Sequence, residues 1–149
     1  PMVGWAAVTG TISLESCILF LIIFLWTPPH FWALALYKQS DYGAAGIPML
    51  PNVAGNQATK VQIVIYSVVL VAASLVPGLI GFMGPIYMVT AAATGAAFLY
   101  LAVRLFRTTD DKAMRKAGRT LFTYSLSYLF VIFLALVTDH VVGALGWMS

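Results

Sequence analysis

Of the 149 residues, 61% are hydrophobic and only 9% charged, a balance that excludes an ordinary soluble domain, where charged side chains make up about a quarter of the chain. The formal charge of +3 comes from eight Lys and Arg against five Asp and Glu, but the basic residues fall only between long apolar stretches, which makes them markers of membrane topology and excludes a nucleic-acid surface. The one cysteine, Cys17, excludes an intrachain disulfide and a thiolate metal cluster.

Pro1 to Gly10 reads as the end of a membrane span. The apolar stretch after Pro1 carries no basic n-region and no small-residue cleavage site, so the chain reads as starting inside a longer protein. Ser16 to Tyr37 runs for 22 residues without Asp, Glu, Lys or Arg, and a helix rising 1.5 Å per residue needs roughly 20 to cross the hydrocarbon. Val61 to Val103 is uncharged for 43 residues, enough for two crossings, with Pro77, Gly78, Gly81, Gly84 and Pro85 as the breakers between them. Thr120 to Thr138 supplies a further 19 uncharged residues before Asp139 and His140. The expected fold is therefore an all-α polytopic bundle with four spans, near 14–37, 61–80, 85–106 and 119–138, and the remnant of a fifth.

Lys38 and Lys60 fall in the loop after the first of these spans, and Arg104, Arg107, Lys112, Arg115, Lys116 and Arg119 fall between the third and fourth. All eight thus lie on one side, expected to be the cytoplasm or matrix, with the C-terminal tail 139–149 outside. In the third span Ala91, Ala92, Gly95 and Ala96 are spaced for close helix approach. In the loop that follows, Asp111 and Arg115 are spaced for a helical ion pair, and the segment reads as a solvated amphipathic link.

The chemistry concentrates in Trp26 to Pro51, WTPPHFWALALYKQSDYGAAGIPMLP. Pro28 and Pro29 remove two backbone donors inside a span, so nearby carbonyls need other partners. His30 follows at once. Either it satisfies one of those carbonyls or it faces a substrate, since an ionisable group at this depth is a functional candidate. If the helix continues through Asp41, then His30, Tyr37 and Asp41 share one face within about 20° over roughly 16 Å, with Trp26 near the same stripe. Asp41 is the one acidic residue between Lys38 and Lys60. It suits a Mg²⁺ ion shared with substrate phosphates, with Lys38 as a point charge, or else a plain surface pair with Lys38.

The string W-T-P-P-H-F-W-A-L-A-L-Y-K-Q-S-D-Y, the following A-G-I-P-M-L-P and the opening G-W-A-A-V-T-G resemble the bacterial protohaem IX farnesyltransferases, a branch of the UbiA-type intramembrane prenyltransferases. The resemblance is most specific in the first 55 residues; the last three spans match mainly in hydropathy. It implies that residues 1–149 are the C-terminal part of one nine-helix transmembrane domain of the bacterial inner membrane, with farnesyl diphosphate and protohaem IX as substrates and Mg²⁺ as cofactor. Tyr37 stands where the wider superfamily has the first carboxylate of its second Asp-rich motif. A second such motif would belong to the N-terminal half, the partner without which the site is incomplete. By this resemblance His30, Tyr37 and Asp41 are candidate catalytic residues, Asp41 the metal ligand, and Trp26, Lys38 and Tyr42 candidate substrate-binding residues. The alternatives are a haem-binding or transport protein using His30, a purely structural membrane subunit, and another UbiA-type prenyltransferase.

Overall fold

A computed structural model of the chain describes residues 1–146, and among these there are helices and turns but no strands. The helices are α1 (Met2–Thr9), α2 (Leu14–Tyr37), α3 (Gln39–Ala44), α4 (Leu50–Leu79), α5 (Pro85–Arg107) and α6 (Asp111–Ala144). The all-α expectation holds, and four helices are long and apolar enough to cross a membrane.

Each start and stop has a local cause. Helix α1 buries nothing and ends at Gly10, whose φ of 74° suits a residue without a Cβ. The Ser13 side chain accepts from the Ser16 amide and caps α2, with Glu15 in its first turn. Pro28 and Pro29 lie inside α2, which runs on past them to Tyr37. Pro51 and Pro85 occupy the first turns of α4 and α5, where the missing N–H has no intrahelical partner to lose. Asp110 accepts from the Ala113 amide at 2.8 Å and caps α6.

Two spans reach further than expected. Helix α4 begins at Leu50 instead of near 61, with a non-helical break at Gly55 (φ 87°, ψ 163°), and α6 runs from Asp111 to Ala144 instead of 119–138. Absence of charge marks the stretch lying in hydrocarbon, whereas a helix carries its polar residues out beyond it. Lys60, expected in a loop, is accordingly a helical residue.

Helices α2, α4, α5 and α6 run up and down in turn, each packing on two neighbours around one core that includes Ile22, Ile63, Tyr87, Phe98, Leu121 and Tyr128. Small residues set the close crossings. A Cβ on Gly95 of α5 would stand 2.7 Å from a methyl of Val71, and one on Gly118 of α6 would stand 3.1 Å from the Ala33 carbonyl of α2. Ala91 is buried beside Gly95, while Ala92 and Ala96 are exposed. Across the core, Tyr87 donates to the Ser74 carbonyl at 2.8 Å and Tyr128 to the Ser74 hydroxyl at 2.7 Å.

Helix α5 is held at both poles. At its N-terminus the buried carboxylate of Asp139, reaching over from α6, accepts from the amides of Gly84, Ile86 (3.1 Å) and Tyr87 (3.2 Å). At its C-terminus the buried ammonium of Lys60 donates to the Thr108 carbonyl at 3.0 Å. Each charge meets the dipole end of opposite sign. The eight basic residues fall at the α2/α3, α4-start and α5/α6 end of the bundle, as the sequence requires.

Candidate functional site

At the basic end, α2 stops at Tyr37 because Lys38 leaves helical geometry (φ −104°, ψ 19°), and the short α3 starts again at Gln39. The continuous stripe from His30 to Asp41 therefore does not form. Nothing in K-Q-S-D is a helix breaker, which is why the sequence did not show the turn. The turn brings Lys38 Nζ to 3.0 Å from Asp41 Oδ2, both side chains remaining largely exposed. Hydrogen bonding and charge from Asp41 hold the Lys38 ammonium above its ordinary pKa, and the same contact holds the Asp41 carboxyl below the usual range. Tyr42, next on α3, is half-buried.

Helix α6 completes this corner. Arg119 stands with Cζ 5.8 Å from the centre of the Tyr37 ring, Lys38 Nζ lies 5.2 Å from the same ring, and Arg115 Nη1 reaches the Ser40 hydroxyl at 3.5 Å. The Asp111–Arg115 ion pair expected from their spacing is not made. Among the described residues the one ion pair is Lys38–Asp41, because Arg115 turns towards α3 instead.

Deeper in the bundle His30 is buried, with its ring stacked between Trp26 (centroids 4.3 Å apart, 21°) and Phe122 (4.6 Å, 27°). Its Nδ1 lies 2.6 Å from the Ser125 hydroxyl, which in turn donates to the Phe122 carbonyl at 2.7 Å. With that single hydroxyl proton directed at Phe122, Nδ1–H is the donor to Ser125 and Nε2 is left as the acceptor nitrogen. The partner of His30 is thus a hydroxyl on α6, not a carbonyl freed by Pro28 or Pro29. Trp26 Nε1 donates to the Ser125 carbonyl at 2.8 Å, so one serine anchors both rings. Beyond the stack an open, almost wholly apolar groove of about 400 Å³ runs between α2 and α6, lined by Ile23, Trp26, Leu126, Leu129, Phe130 and Phe133.

The structure thus brings Tyr37, Lys38 and Asp41 together at the rim, and places Trp26 and His30 below them against α6. A serine in a span and arginines at its end carry no sequence signal of their partners, which for Ser125 and Arg119 lie on α2 and for Arg115 is Ser40 on α3. Among the described residues no three His, Cys, Asp or Glu converge on a common point. Asp41 alone fits a Mg²⁺ as one ligand, the usual arrangement when substrate phosphates and water supply most of the others.

The model of the UbiA prenyltransferase family matches residues 1–127. The chain belongs to the UbiA prenyltransferase family. With four membrane-length helices it is a multi-pass membrane protein of that family. It is 53% identical over 146 residues to a protoheme IX farnesyltransferase of Parvibaculum lavamentivorans, covering 98% of this chain and 46% of the relative. It is 54% identical over 142 residues to protoheme IX farnesyltransferase 2 of Mesorhizobium japonicum (95% and 45%), and 47% identical over 149 residues to that of Bradyrhizobium diazoefficiens (100% and 48%). The chain spans about half the length of the curated relatives it matches. No solved structure matches it.

Proposed function

We propose that this chain is the C-terminal half of a protohaem IX farnesyltransferase, and that its α2/α3/α6 corner binds the diphosphate of farnesyl diphosphate. The observation that carries this is the placement of two chemistries on the same helices α2 and α6: a cationic rim with one carboxylate at Tyr37–Asp41, and deeper in the bundle the Trp26–His30–Phe122 stack with an apolar groove beside it. Such a surface suits an amphiphile with an anionic head. The names of the relatives supply the acceptor, protohaem IX.

In the reaction the bond between farnesyl C1 and the diphosphate oxygen breaks, C1 bonds to the terminal vinyl carbon of haem, and water adds a hydroxyl to the other vinyl carbon with loss of a proton. The product is haem O for terminal oxidases. Lys38 holds the departing diphosphate as a point charge, and Tyr37, fixed between two cations, shapes the rim. Tyr42 flanks the same head group. A Mg²⁺ held by Asp41 and by carboxylates of the N-terminal half would neutralise charge growing on the leaving group. Trp26 and His30 face the porphyrin or the prenyl tail, with Nε2 as the free nitrogen of His30. The enzyme sits in the bacterial inner membrane with the basic end of the bundle cytoplasmic.

The test is to co-express this chain with the N-terminal half of the Parvibaculum lavamentivorans relative and look for haem O after adding farnesyl diphosphate, protohaem and Mg²⁺. Product from the pair and none from either half is expected. Haem binding by the pair without any prenylated product would favour a haem carrier and reject the assignment.

A further inference from the structure

The rim described above holds more positive charge than its one carboxylate neutralises. Lys38, Arg115 and Arg119 gather at the corner that holds Asp41, with Arg119 over the Tyr37 ring and Arg115 at Ser40, and Asp41 is already engaged by Lys38 at 3.0 Å. Of the two acids close in sequence, Asp110 turns to the Ala113 amide and Asp111, one turn before Arg115, makes no ion pair with it. Neither arginine has a carboxylate partner among the described residues. Both are exposed.

Their placement is built into the helix crossing. Gly118 lies between them, and its missing side chain lets α6 approach the last turn of α2, where a Cβ would stand 3.1 Å from the Ala33 carbonyl and 3.4 Å from the Tyr37 amide. Arg115 and Arg119 are one helical turn apart, so their side chains leave α6 on the same side. One arrives at Ser40 of α3 and the other over the ring of Tyr37. They converge on the α2/α3 corner from the helix opposite.

We propose that Arg115 and Arg119 form the second wall of the diphosphate subsite, binding phosphate oxygens across from Lys38 and Asp41. The guanidinium group presents paired donors in a plane that matches phosphate geometry, whereas the Lys38 ammonium is a point charge, so the arginines fix the orientation of the leaving group as well as its charge. Arg104 and Arg107 also lie at the basic end, but on α5, beside Tyr100 and Thr108. They make no contact with the rim and serve as controls of equal charge. A lipid headgroup offers the same phosphate chemistry, and the lipid composition of the assay separates the two sources.

The inference rests on reading the rim as a diphosphate site. Arg115→Gln, Arg119→Gln, Arg104→Gln and Arg107→Gln are made in the two-half enzyme and placed in vesicles of phosphatidylcholine alone or with phosphatidylglycerol. Pyrophosphate binding is titrated directly in Mg²⁺ buffer, and KM is measured for farnesyl diphosphate and for haem. Loss of one charged hydrogen-bonding group should raise the pyrophosphate Kd and the farnesyl diphosphate KM roughly 10- to 100-fold in either vesicle, with haem KM unmoved. Arg119→Lys should recover part of the loss, and it replaces the glutamine variant if that one loses its Tm. The α5 variants should bind as wild type. Unchanged pyrophosphate affinity in both α6 variants, equal losses in the α5 variants, or a loss seen only with phosphatidylglycerol would each overturn the proposal. Arginine-dependent pyrophosphate binding in an enzyme that makes no haem O would reject the farnesyl transfer to haem and leave the arginines standing.

Discussion

His30 and Asp41 are the two residues where the plain and the functional readings part, and the structure gives each a different kind of hold. The His30 ring is fixed on both faces by Trp26 and Phe122 and at Nδ1 by Ser125. His30→Ala removes three ring contacts, the two stacks and an edge contact with Phe31, and a buried hydrogen bond, a loss of roughly 2 to 4 kcal/mol of stability. Ser125→Ala removes that hydrogen bond and the one from Ser125 to the Phe122 carbonyl while keeping the imidazole ring and its stacking partners. Both variants should show a lower Tm in detergent, but only His30→Ala should weaken haem binding in the two-half enzyme. Equal haem affinity in both would make His30 a packing residue. Asp41 is exposed and ionised, with a folded pKa below its unfolded one, so its pairing with Lys38 is present above the ordinary carboxylate pKa and fades only as pH falls through the folded value. Lys38, raised by the same contact, keeps its share until pH rises through its own folded value. Neither group titrates near neutral pH, so this pair should add no pH dependence there. Asp41→Asn should raise the Mg²⁺ needed for turnover roughly ten-fold and leave haem binding intact, as measured by rate against Mg²⁺ and by haem titration. Full activity at limiting Mg²⁺ would rule out the metal role proposed for Asp41.

Among the elements, the four spans were legible because charge is unfavourable in hydrocarbon and its absence is written plainly in the chain. Their true ends were not, since Asp111 to Arg119 and Leu50 to Lys60 are polar yet helical. The Pro28–Pro29–His30 cluster was visible as a point of interest, whereas its partner Ser125 lies 95 residues away and has no local signature. Asp139 makes the same point. From sequence it marks the end of a span; in the fold it is the N-terminal cap of α5, bonded to amides more than 50 residues earlier. Gly84 lets the carboxylate come close, since a Cβ there would stand 3.0 Å from both of its oxygens and push it back from the amides. Asp139→Ala would strand amides at a buried helix end and should cost roughly 1 to 3 kcal/mol, a fall of several degrees in Tm. Asp139→Asn keeps an acceptor oxygen and should fall between the alanine variant and wild type. If alanine and wild type melt together, the cap contributes nothing to holding α5.

For the molecule as a whole, sidedness follows from where the charges gather once the bundle is assembled. Lys60 meets Thr108, Arg115 meets Ser40 and Arg119 meets Tyr37, so contacts between different helices put the basic loops at one end. At the opposite end lie the Gly81–Gly84 turn, Asp139 and the close of α6 at Ala144. Short loops rich in Lys and Arg stay on the cytoplasmic side, so the proposed diphosphate rim should open to the cytoplasm, where a prenyl diphosphate could enter it. The experiment is cysteine labelling in intact cells and in inverted vesicles, after replacing Cys17 with Ala to clear the background. Asp111→Cys lies at the start of α6 and Leu145→Cys just past its end, both at exposed positions. An impermeant maleimide should reach position 111 in inverted vesicles only, and position 145 in intact cells only. The C-terminal residues 147–149, expected outside by the same argument, lie beyond the described residues. The reverse labelling pattern would turn the rim outward, away from any cytoplasmic supply of farnesyl diphosphate, and the proposed role of Tyr37, Lys38, Asp41 and the α6 arginines would fall with it.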